Sequence, residues 1–237
     1  MENKSGYVVH ILFNGYSNMN ADCSEMKANC TCTLIKGPLN IVVDTMTAWD
    51  KNNITEGLMK HGVTPEDIDY VICTHGHSDH IGNNNLFLNA KHIVGFSISY
   101  KNIYYVHPFD EGKAFQIDDE IQVIPTPGHT LSDVTVIVKT QDQGVYAIAG
   151  DLFECFEDID EPSRWIQAGS EDPKLQRKNR QMIADLANWI VPGHGPIFPA
   201  DEEVRRKLVK HLFYQKYLKY ALKTFRKYIF FYFATKR

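Results

Sequence analysis

The chain has 237 residues, of which 43% are hydrophobic and 23% are charged, and its formal net charge is −4. These proportions are ordinary for a soluble globular protein of one domain with an appended tail. No run reaches the roughly 20 apolar residues of a membrane span, and the first residues lack the apolar run of a signal peptide. Five cysteines, an odd number, argue for a reducing compartment. We therefore expect the cytosol, with the nucleus as an alternative.

Apolar, β-branched and aromatic runs, separated by turn-forming residues, predict a chain dominated by strands. The predicted strands are residues 7–13, 31–35, 39–43, 70–73, 91–94, 121–124, 134–138, 145–149 and 189–191. Polar turn formers between the first two strands predict a loop or hairpin over residues 14–29. One helix is predicted to open at Asn53 and to close near Gly62, and a second over residues 174–186 follows the start signal of Asp172 and Pro173. This order is compatible with two sheets flanked by helices.

The most informative segment comes directly after the predicted strand at residues 70–73, where four side chains that can bind a metal fall within six residues. They are His75, His77, Asp79 and His80. Imidazole suits zinc and iron, and a carboxylate adds an anionic oxygen ligand. Histidines two residues apart cannot share one helix face. On a tight loop, alternate side chains can converge on one point and the next pair on a second, so the segment predicts two adjacent metals.

Three more potential ligands follow apolar strands later in the chain. His129 stands in Pro-Gly-His-Thr, Asp151 follows a glycine, and His194 stands in Pro-Gly-His-Gly-Pro. The neighbouring glycines permit abrupt turns and close approach of the backbone. Each residue alone is weak evidence of a site, because loop histidines and turn aspartates are common. Their order after the first cluster makes them strong candidates to complete it.

The series His-x-His-x-Asp-His, Gly-His, Gly-Asp and Gly-His-Gly resembles the motifs of the metallo-β-lactamase superfamily. Asp44 matches the strand-end aspartate of the first motif, which supports the metal ligands from behind. The resemblance covers roughly residues 6–199 and is strongest to a glyoxalase II-like subgroup. The matching subgroup segments are residues 74–83, 150–154, 163–165, 170–173 and 191–196. The resemblance implies an α/β fold, the αββα sandwich of the superfamily.

The resemblance also implies a ligand set for two divalent metal ions, zinc by preference, with iron or manganese as alternatives. The first metal would be held by His75, His77 and His129, the second by Asp79, His80 and His194, with Asp151 bridging them. A single zinc ion already brings the pKa of a bound water to about 7, so a water between two metals would supply a hydroxide. We therefore expect a metal-dependent hydrolase in which Asp79 is also catalytic, as a proton carrier.

The C-terminal residues 204–237 differ in composition from the rest. They contain eleven Lys or Arg, ten Phe or Tyr, and no Asp or Glu, so they carry a charge of +11. The preceding residues 1–203, the body of the protein, therefore carry −15, and the two together give the net charge of −4. We divide the chain into a catalytic domain at residues 1–203 and a basic aromatic tail at 204–237. Three interpretations of the tail stay open: a basic amphipathic helix on the acidic body, a surface for nucleic acid or membrane, or an irregular extension.

The ligand set does not choose the substrate, because function resides in the loops around such a site. The subgroup is associated with endoribonuclease activity in histone pre-mRNA 3′-end processing, so the resemblance implies RNA. The acidic body opposes RNA binding, which is mainly electrostatic, and RNA would need the tail or a basic strip. The expected strip comprises Arg164, Arg177, Lys178 and Arg180.

The alternative is a glyoxalase II-like hydrolase of a small acyl thioester or ester. A persulfide dioxygenase with one iron and a metal-binding protein without enzymatic activity are further alternatives, and a homodimer is left open. Arg164, Trp165 and the loop at residues 170–172 are expected to shape the pocket wall, with simple loop packing as the alternative. His107 lies on a loop that is a further candidate to border the site.

Overall fold

The computed structural model describes residues 6–22 and 24–211. The first strands are β1 (Val8–Phe13), β2 (Tyr16–Met19), β3 (Met26–Asn29), β4 (Cys32–Lys36) and β5 (Asn40–Val43), followed by helix α1 (Lys51–Lys60). Next come β6 (Tyr70–Cys73), β7 (Lys91–Val94), β8 (Ser97–Tyr100), β9 (Ile103–Tyr105), β10 (Phe115–Gln116), β11 (Ile121–Pro125), β12 (Val134–Thr140) and β13 (Gly144–Gly150). The last elements are α2 (Ser163–Gln167), α3 (Pro173–Leu186), β14 (Trp189–Pro192), β15 (Phe198–Pro199) and helical residues 202–211.

Short 3₁₀ helices at Pro65–Asp67, Asn84–Leu86, Phe109–Glu111 and Phe156–Ile159 connect these elements. Over the described ranges, none of the helices has the length and apolar character needed to cross a membrane.

The strands build two large sheets and one hairpin within the described residues. The first sheet has the order β1-β4-β5-β6-β7-β8-β9, the second has the order β10-β11-β12-β13-β14-β15, and β2 pairs with β3 alone. Strands β5, β6 and β7 run parallel, as do β13 and β14. Loops that follow parallel strands lie at the same sheet edge. The loops after β5 and β6 are therefore neighbours, and so are those after β13 and β14.

The sheets pack face to face, because alternate side chains of each strand point to opposite faces. Ile72 of the first sheet and Ile148 of the second belong to the core between the sheets. On the outer face of the first sheet, α1 buries Leu58. On the outer face of the second, α3 buries Ile183 beside residues 202–211. These four layers form an αββα sandwich, which confirms the predicted fold class.

The observed strands lie within two residues of the predicted ends, and α3 begins as predicted, with the Asp172 carboxylate accepting from the backbone N–H groups of Lys174 and Leu175. Helix α1 begins two residues before the predicted Asn53. Strands β8 and β9 were not predicted, because Ser, Asn and Lys interrupt the apolar alternation there. The loop or hairpin predicted over residues 14–29 is a hairpin, β2–β3.

The predicted tail falls partly within the described residues. Val204 and Leu208 are buried against the second sheet and α3. Arg205 donates two hydrogen bonds to backbone carbonyls at the end of α3. Residues 204–208 therefore pack on the body. The three interpretations of the tail concern mainly residues 212–237, which lie outside the described part of the chain.

Candidate metal centre

All seven residues that the sequence proposed as ligands converge at one end of the sandwich. They are His75, His77, Asp79, His80, His129, Asp151 and His194, and their ligand atoms form adjacent groups around Asp151. The loop after β6 contributes four of them, and the loops after β11, β13 and β14 contribute one each. The centre therefore lies between the two sheets at the carboxyl ends of their strands.

The first group consists of three imidazole rings and one carboxylate. His77 Nδ1 lies 2.8 Å from His75 Nε2 and 3.1 Å from His129 Nε2. Asp151 Oδ2 lies 3.7 Å from His75 Nε2 and 3.4 Å from His129 Nε2. Three imidazole nitrogens that face one point are a donor set for zinc that leaves a further position for water, as in catalytic sites.

The second group lies on the other side of Asp151. Asp79 Oδ2 is 3.9 Å from His80 Nε2 and 3.8 Å from His194 Nε2. Asp151 Oδ1 is 3.2 Å from His80 Nε2, and Asp151 Oδ2 is 3.3 Å from His194 Nε2. The Asp151 carboxylate thus faces both groups, which is the position of a bridging ligand.

Three of the histidines direct their second ring nitrogen at a fixed oxygen atom. The pairs are His75 Nδ1 with Thr74 Oγ1 at 3.1 Å, His80 Nδ1 with Asp44 Oδ2 at 2.9 Å, and His194 Nδ1 with the Asn29 carbonyl at 3.1 Å. Partners of this kind set the tautomer and ring orientation, so that the Nε2 lone pair points toward a metal.

Asp44 supports the centre from a strained backbone position. It has a φ of 58°, in the left-handed region that non-glycine residues seldom adopt. Its carboxylate accepts hydrogen bonds from the backbone N–H and the hydroxyl of Thr74 and contacts His80. Strain of this kind costs of order 1–3 kcal/mol and concentrates at functional sites. Here it accompanies a carboxylate that aligns one ligand directly and a second through Thr74.

The chemistry of the donor set fits divalent metals. Four buried atoms of the centre have no hydrogen-bond partner in the described part of the chain: His80 Nε2, His129 Nδ1, Asp151 Oδ1 and Glu154 Oε1. An unsatisfied buried polar atom costs about 1–3 kcal/mol, and metal coordination at His80 Nε2 and Asp151 Oδ1 would offset that cost.

The electrostatics differ between the two groups. Burial lowers the pKa of His75 well below its usual value and also lowers the pKa of His129, so both rings are neutral and able to bind a metal. Burial also disfavours the charged form of His194, but the neighbouring Asp151 carboxylate outweighs it and raises the pKa of His194 to about 9.

Two glycines permit the ligand loops to approach each other. Gly150 has a φ of 51°, and a Cβ there would collide with the Thr74 side chain. A Cβ on Gly193 would collide with the Asp151 carboxylate. Side chains at these positions would therefore displace ligands, and this explains why glycine stands beside Asp151 and His194.

Helix α3 holds the loop that carries Asp151. Gln176 Nε2 donates to the Asp151 carbonyl at 3.0 Å. Arg180 donates to the next carbonyl at 2.8 Å and forms a buried ion pair with Asp158. Asp158 also accepts the Glu154 backbone N–H at 2.8 Å. These contacts could not be predicted from the sequence, since a buried arginine has no local sequence signature.

The ligands open into a cavity of about 290 Å³. Its other lining residues are Ser17, Met26, Ala28, Thr47, Ser78, Glu154 and Ala168. Hairpin β2–β3 forms one wall, with Ser17 opposite Ala28 and Met19 opposite Met26 across the strand pair. Among the described residues, no lysine or arginine lines this cavity.

Several candidates for the surroundings of the pocket lie outside its lining, and the expected basic strip is wrong at one residue. His107 packs against two phenylalanine rings and does not line the cavity. Trp165 is buried beside the guanidinium groups of α3, and Ala168 lines the pocket on that side. Arg180 is only 1% exposed and paired with Asp158, so it cannot belong to a basic strip that contacts RNA.

Glu154 was missed as a site residue, although it lies within a matched segment. It is 6% exposed and lines the cavity three residues after Asp151. The chain turns at this point, with the Phe153 N–H donating to the Gly150 carbonyl. Spacing alone could not show which way the Glu154 carboxylate points.

Comparisons with known proteins show the family to which this chain belongs. The metallo-beta-lactamase superfamily model matches residues 27–194. "Metallo-beta-lactamase domain-containing protein 1" of Xenopus laevis is 42% identical over 197 residues, 82% of this chain and 82% of that protein. The protein of the same name in Homo sapiens is 41% identical over 165 residues, 69% of this chain but only 60% of that protein, less than two thirds of its length.

More distant similarities extend to other hydrolases. An N-acyl homoserine lactonase of a Bacillus species is 29% identical over 115 residues, 44% of this chain and 45% of that protein. A metallo-β-lactamase-type structure from Thermotoga maritima has a TM-score of 0.59 at 20% identity, covers 82% of this chain and 99% of that one, and supports the fold. With the family model and the relatives at about 40% identity, the chain belongs to the metallo-β-lactamase superfamily and is a metallo-hydrolase of that superfamily.

Proposed function

We propose that this chain is a dinuclear metal-dependent hydrolase and that its substrate is single-stranded RNA. The observation that carries the dinuclear proposal is the position of Asp151. Its carboxylate faces the three imidazoles of the first group on one side and the second group of ligands on the other. Seven ligands exceed what one tetrahedral site can use. Two adjacent metals suit displacement at phosphorus, because one side can support the attacking oxygen and the other the leaving oxygen.

The residues divide the work of hydrolysis. Two bound divalent metals would supply a hydroxide and stabilise the developing negative charge. His75, His77 and His129 would hold the first metal, Asp79, His80 and His194 would hold the second, and Asp151 would bridge them. The Asp79 carboxylate can also take the proton that the nucleophile loses and return it to the leaving oxygen. Its side chain is 21% exposed, whereas that of Asp151 is 5% exposed, so Asp79 is the better placed to exchange protons with the cavity.

The RNA proposal rests on the resemblance to the endoribonuclease-associated subgroup. Trp49 stands two residues after the cavity-lining Thr47 and is 90% exposed, so its ring can stack on a base. With Arg180 removed from the expected strip, Arg164, Arg177 and Lys178 and the basic residues within 212–237 remain as cationic groups that could attract phosphates. The acidic body opposes this attraction, so RNA binding should depend strongly on these cationic groups.

Hydrolysis of a small acyl ester, lactone or thioester is the second candidate. The specific observation in its favour is the cavity, which is small and, among the described residues, has no cationic side chain in its lining. Serine, alanine and methionine of the hairpin would contact a neutral acyl group without loss of a charge interaction. Lactone hydrolysis is the activity named for the Bacillus relative.

The test compares both substrate classes on one preparation of known metal content. Protein purified without chelator is analysed for metals and is then assayed on a labelled single-stranded RNA oligonucleotide and on a panel of glutathione thioesters and acyl lactones. We expect two metals per chain and RNA cleavage that falls steeply with salt. The His75→Ala variant, prepared in parallel, controls for contaminating nucleases. A stable content of one metal per chain, unchanged by added zinc, would contradict the dinuclear proposal. Thioester or lactone turnover orders of magnitude faster than RNA cleavage would replace the RNA proposal with the second candidate.

A further inference from the structure

His129 is the one buried ligand histidine of the first group that lacks a hydrogen-bond partner for its second ring nitrogen among the described residues. Its Nδ1 atom is buried and has no hydrogen bond. The nearest carboxylate oxygen is Glu154 Oε1, which lies 3.8 Å away and is also buried without a hydrogen bond. Two unsatisfied atoms of complementary type therefore face each other behind the metal-facing side of His129.

We infer that Glu154 is a positioning residue for His129. The Glu154 carboxylate accepts the Nδ1–H of His129, fixes the tautomer in which Nε2 carries the lone pair, and holds the ring toward His77. This role rests on the proposed metal centre, and it adds to that centre a residue outside the seven proposed ligands. It gives His129 the kind of outer partner that Asp44 gives His80 at 2.9 Å.

The backbone of Glu154 is held firmly enough for such a role. Its N–H donates to the buried Asp158 carboxylate at 2.8 Å, and its carbonyl accepts the His194 N–H at 2.7 Å. Asp158 is itself held by the ion pair with Arg180. The side chain of Glu154 projects from this anchored turn into the space between His129 and His194, so a small rotation can close the 3.8 Å separation.

The second oxygen of Glu154 suggests a competing role. Oε2 lies 3.9 Å from His194 Nε2, on the metal-facing side of that ring. Glu154 could therefore serve as a direct ligand of the second metal. The second group already has four donors in Asp79, His80, His194 and Asp151, enough for a tetrahedral site. The ring nitrogen that lacks a partner, Nδ1 of His129, belongs to the first group. This favours the positioning role.

The first test measures zinc affinity by competition with a chromogenic chelator, so that it does not depend on any substrate. The variants are Glu154→Ala, Glu154→Gln and, as a control, Glu157→Ala, which removes an exposed glutamate three residues along the chain. Loss of an outer partner typically lowers metal affinity by 10–100-fold. We expect a loss of about that size at one of the two sites in Glu154→Ala. In Glu154→Gln we expect recovery of most of it, because an amide oxygen can accept the same hydrogen bond. The Glu157 control should match the wild type.

A double-mutant cycle then identifies the partner through which Glu154 acts. If it acts through His129, Glu154→Ala should cost little further zinc affinity in a His129→Ala background and the full amount in a His194→Ala background. A full cost in the His129→Ala background would overturn the positioning role, because a direct ligand of the second metal does not act through His129. Thermal unfolding of each metal-free variant checks that it is folded.

The outcomes separate this inference from the proposed function. A wild-type protein that binds fewer than two metals contradicts the dinuclear centre itself. A wild-type protein that binds two metals, with Glu154→Ala binding both at wild-type affinity, contradicts the role of Glu154 alone.

Discussion

At the scale of single residues, the carboxylates of the centre differ in their exposure to solvent. This difference indicates which of them can only hold or orient a metal ligand and which can also transfer a proton. Asp44 and Asp151 are buried, whereas the Asp79 side chain is 21% exposed, although Asp79 and Asp151 both line the cavity. The buried carboxylates can orient ligands and bridge metals. The more exposed Asp79 is better placed to exchange a proton, and it contacts the second group as well.

Asp79→Ala should therefore lower kcat far more than it lowers stability. General acid–base roles are worth about 10²–10⁴ in rate, and we expect a loss of at least that size with a nearly unchanged melting temperature, since the residue stands on a loop. The measurement is steady-state kinetics at full metal loading, with exposed Asp119→Ala as the control. Retention of more than about a tenth of wild-type activity would remove Asp79 from the mechanism.

The histidines of the second group predict how metal uptake depends on pH. In the metal-free protein, Asp151 raises the pKa of His194 to about 9 and that of His80 well above its usual value, against the opposing effect of burial. Because the pKa values of these histidines are raised in the folded protein, their ion pairs with Asp151 stabilise the metal-free fold fully below about pH 6.5. This contribution to the free energy of unfolding is lost as the pH rises through the raised pKa values. A metal must displace these protons to bind.

Zinc affinity for the second site should therefore increase as the pH rises toward 9, and binding should release protons. Chelator competition over a pH series, with proton release measured in a weakly buffered solution, tests this expectation. Affinity that stays constant between neutral pH and pH 9 would show that the histidines are already deprotonated in the metal-free protein.

At the scale of elements, α3 keeps the Asp151 loop in place. Arg180 is buried and contacts both Asp158 and a loop carbonyl. Arg180→Met should lower the free energy of unfolding by about 3–5 kcal/mol, because it leaves the buried Asp158 carboxylate without its partner. It should also weaken zinc binding through Asp151 and Glu154.

Denaturant unfolding of the metal-free variant measures the first effect and chelator competition the second. Arg177→Met is the matched control, since Arg177 also lies over Trp165 but is half-buried and has no ion pair with a buried carboxylate among the described residues. A double variant, Arg180→Met with Asp158→Leu, should recover part of the stability. An equal effect of the two single arginine substitutions would contradict this account of the ion pair.

Much of this element plan could be predicted from the sequence, for identifiable reasons. Strands such as β6 and β13 are continuous apolar runs that end at a turn, and the ligands stand directly after them. The predicted ligand types and their order needed only local spacing. Arg180 and Glu154 could not be placed in advance, because their roles depend on contacts between loops and α3 that no local pattern encodes. Hairpin β2–β3 was foreseen only as a loop or hairpin, and its place as a cavity wall depends on how it packs.

At the scale of the whole molecule, the boundary between body and tail can be tested by two truncations. Removal of residues 204–237 deletes the buried Val204 and Leu208, each worth about 1.5–3 kcal/mol of burial. Removal of residues 212–237 leaves those contacts intact. We expect the chain that ends at residue 203 to have a clearly lower melting temperature than the full-length protein. The chain that ends at residue 211 should keep the melting temperature of the full-length protein.

The truncation at residue 211 also tests the role of the tail in RNA binding. If the tail attracts phosphates, RNA affinity should fall and its dependence on salt should flatten, while metal content stays the same. Equal RNA affinity at every salt concentration, with and without residues 212–237, would show that these residues do not contribute to RNA binding.

The division of the ligands between the two sheets sets the order of events when the protein is made. Four ligands leave the ribosome together on the loop after β6, but the other three are spread over more than sixty later residues, and His194 comes last. A nascent chain that has made only the first sheet offers an incomplete and unaligned set of donors. The complete centre can therefore form only when both sheets have docked, so we expect the finished protein, rather than the growing chain, to bind the full complement of metal.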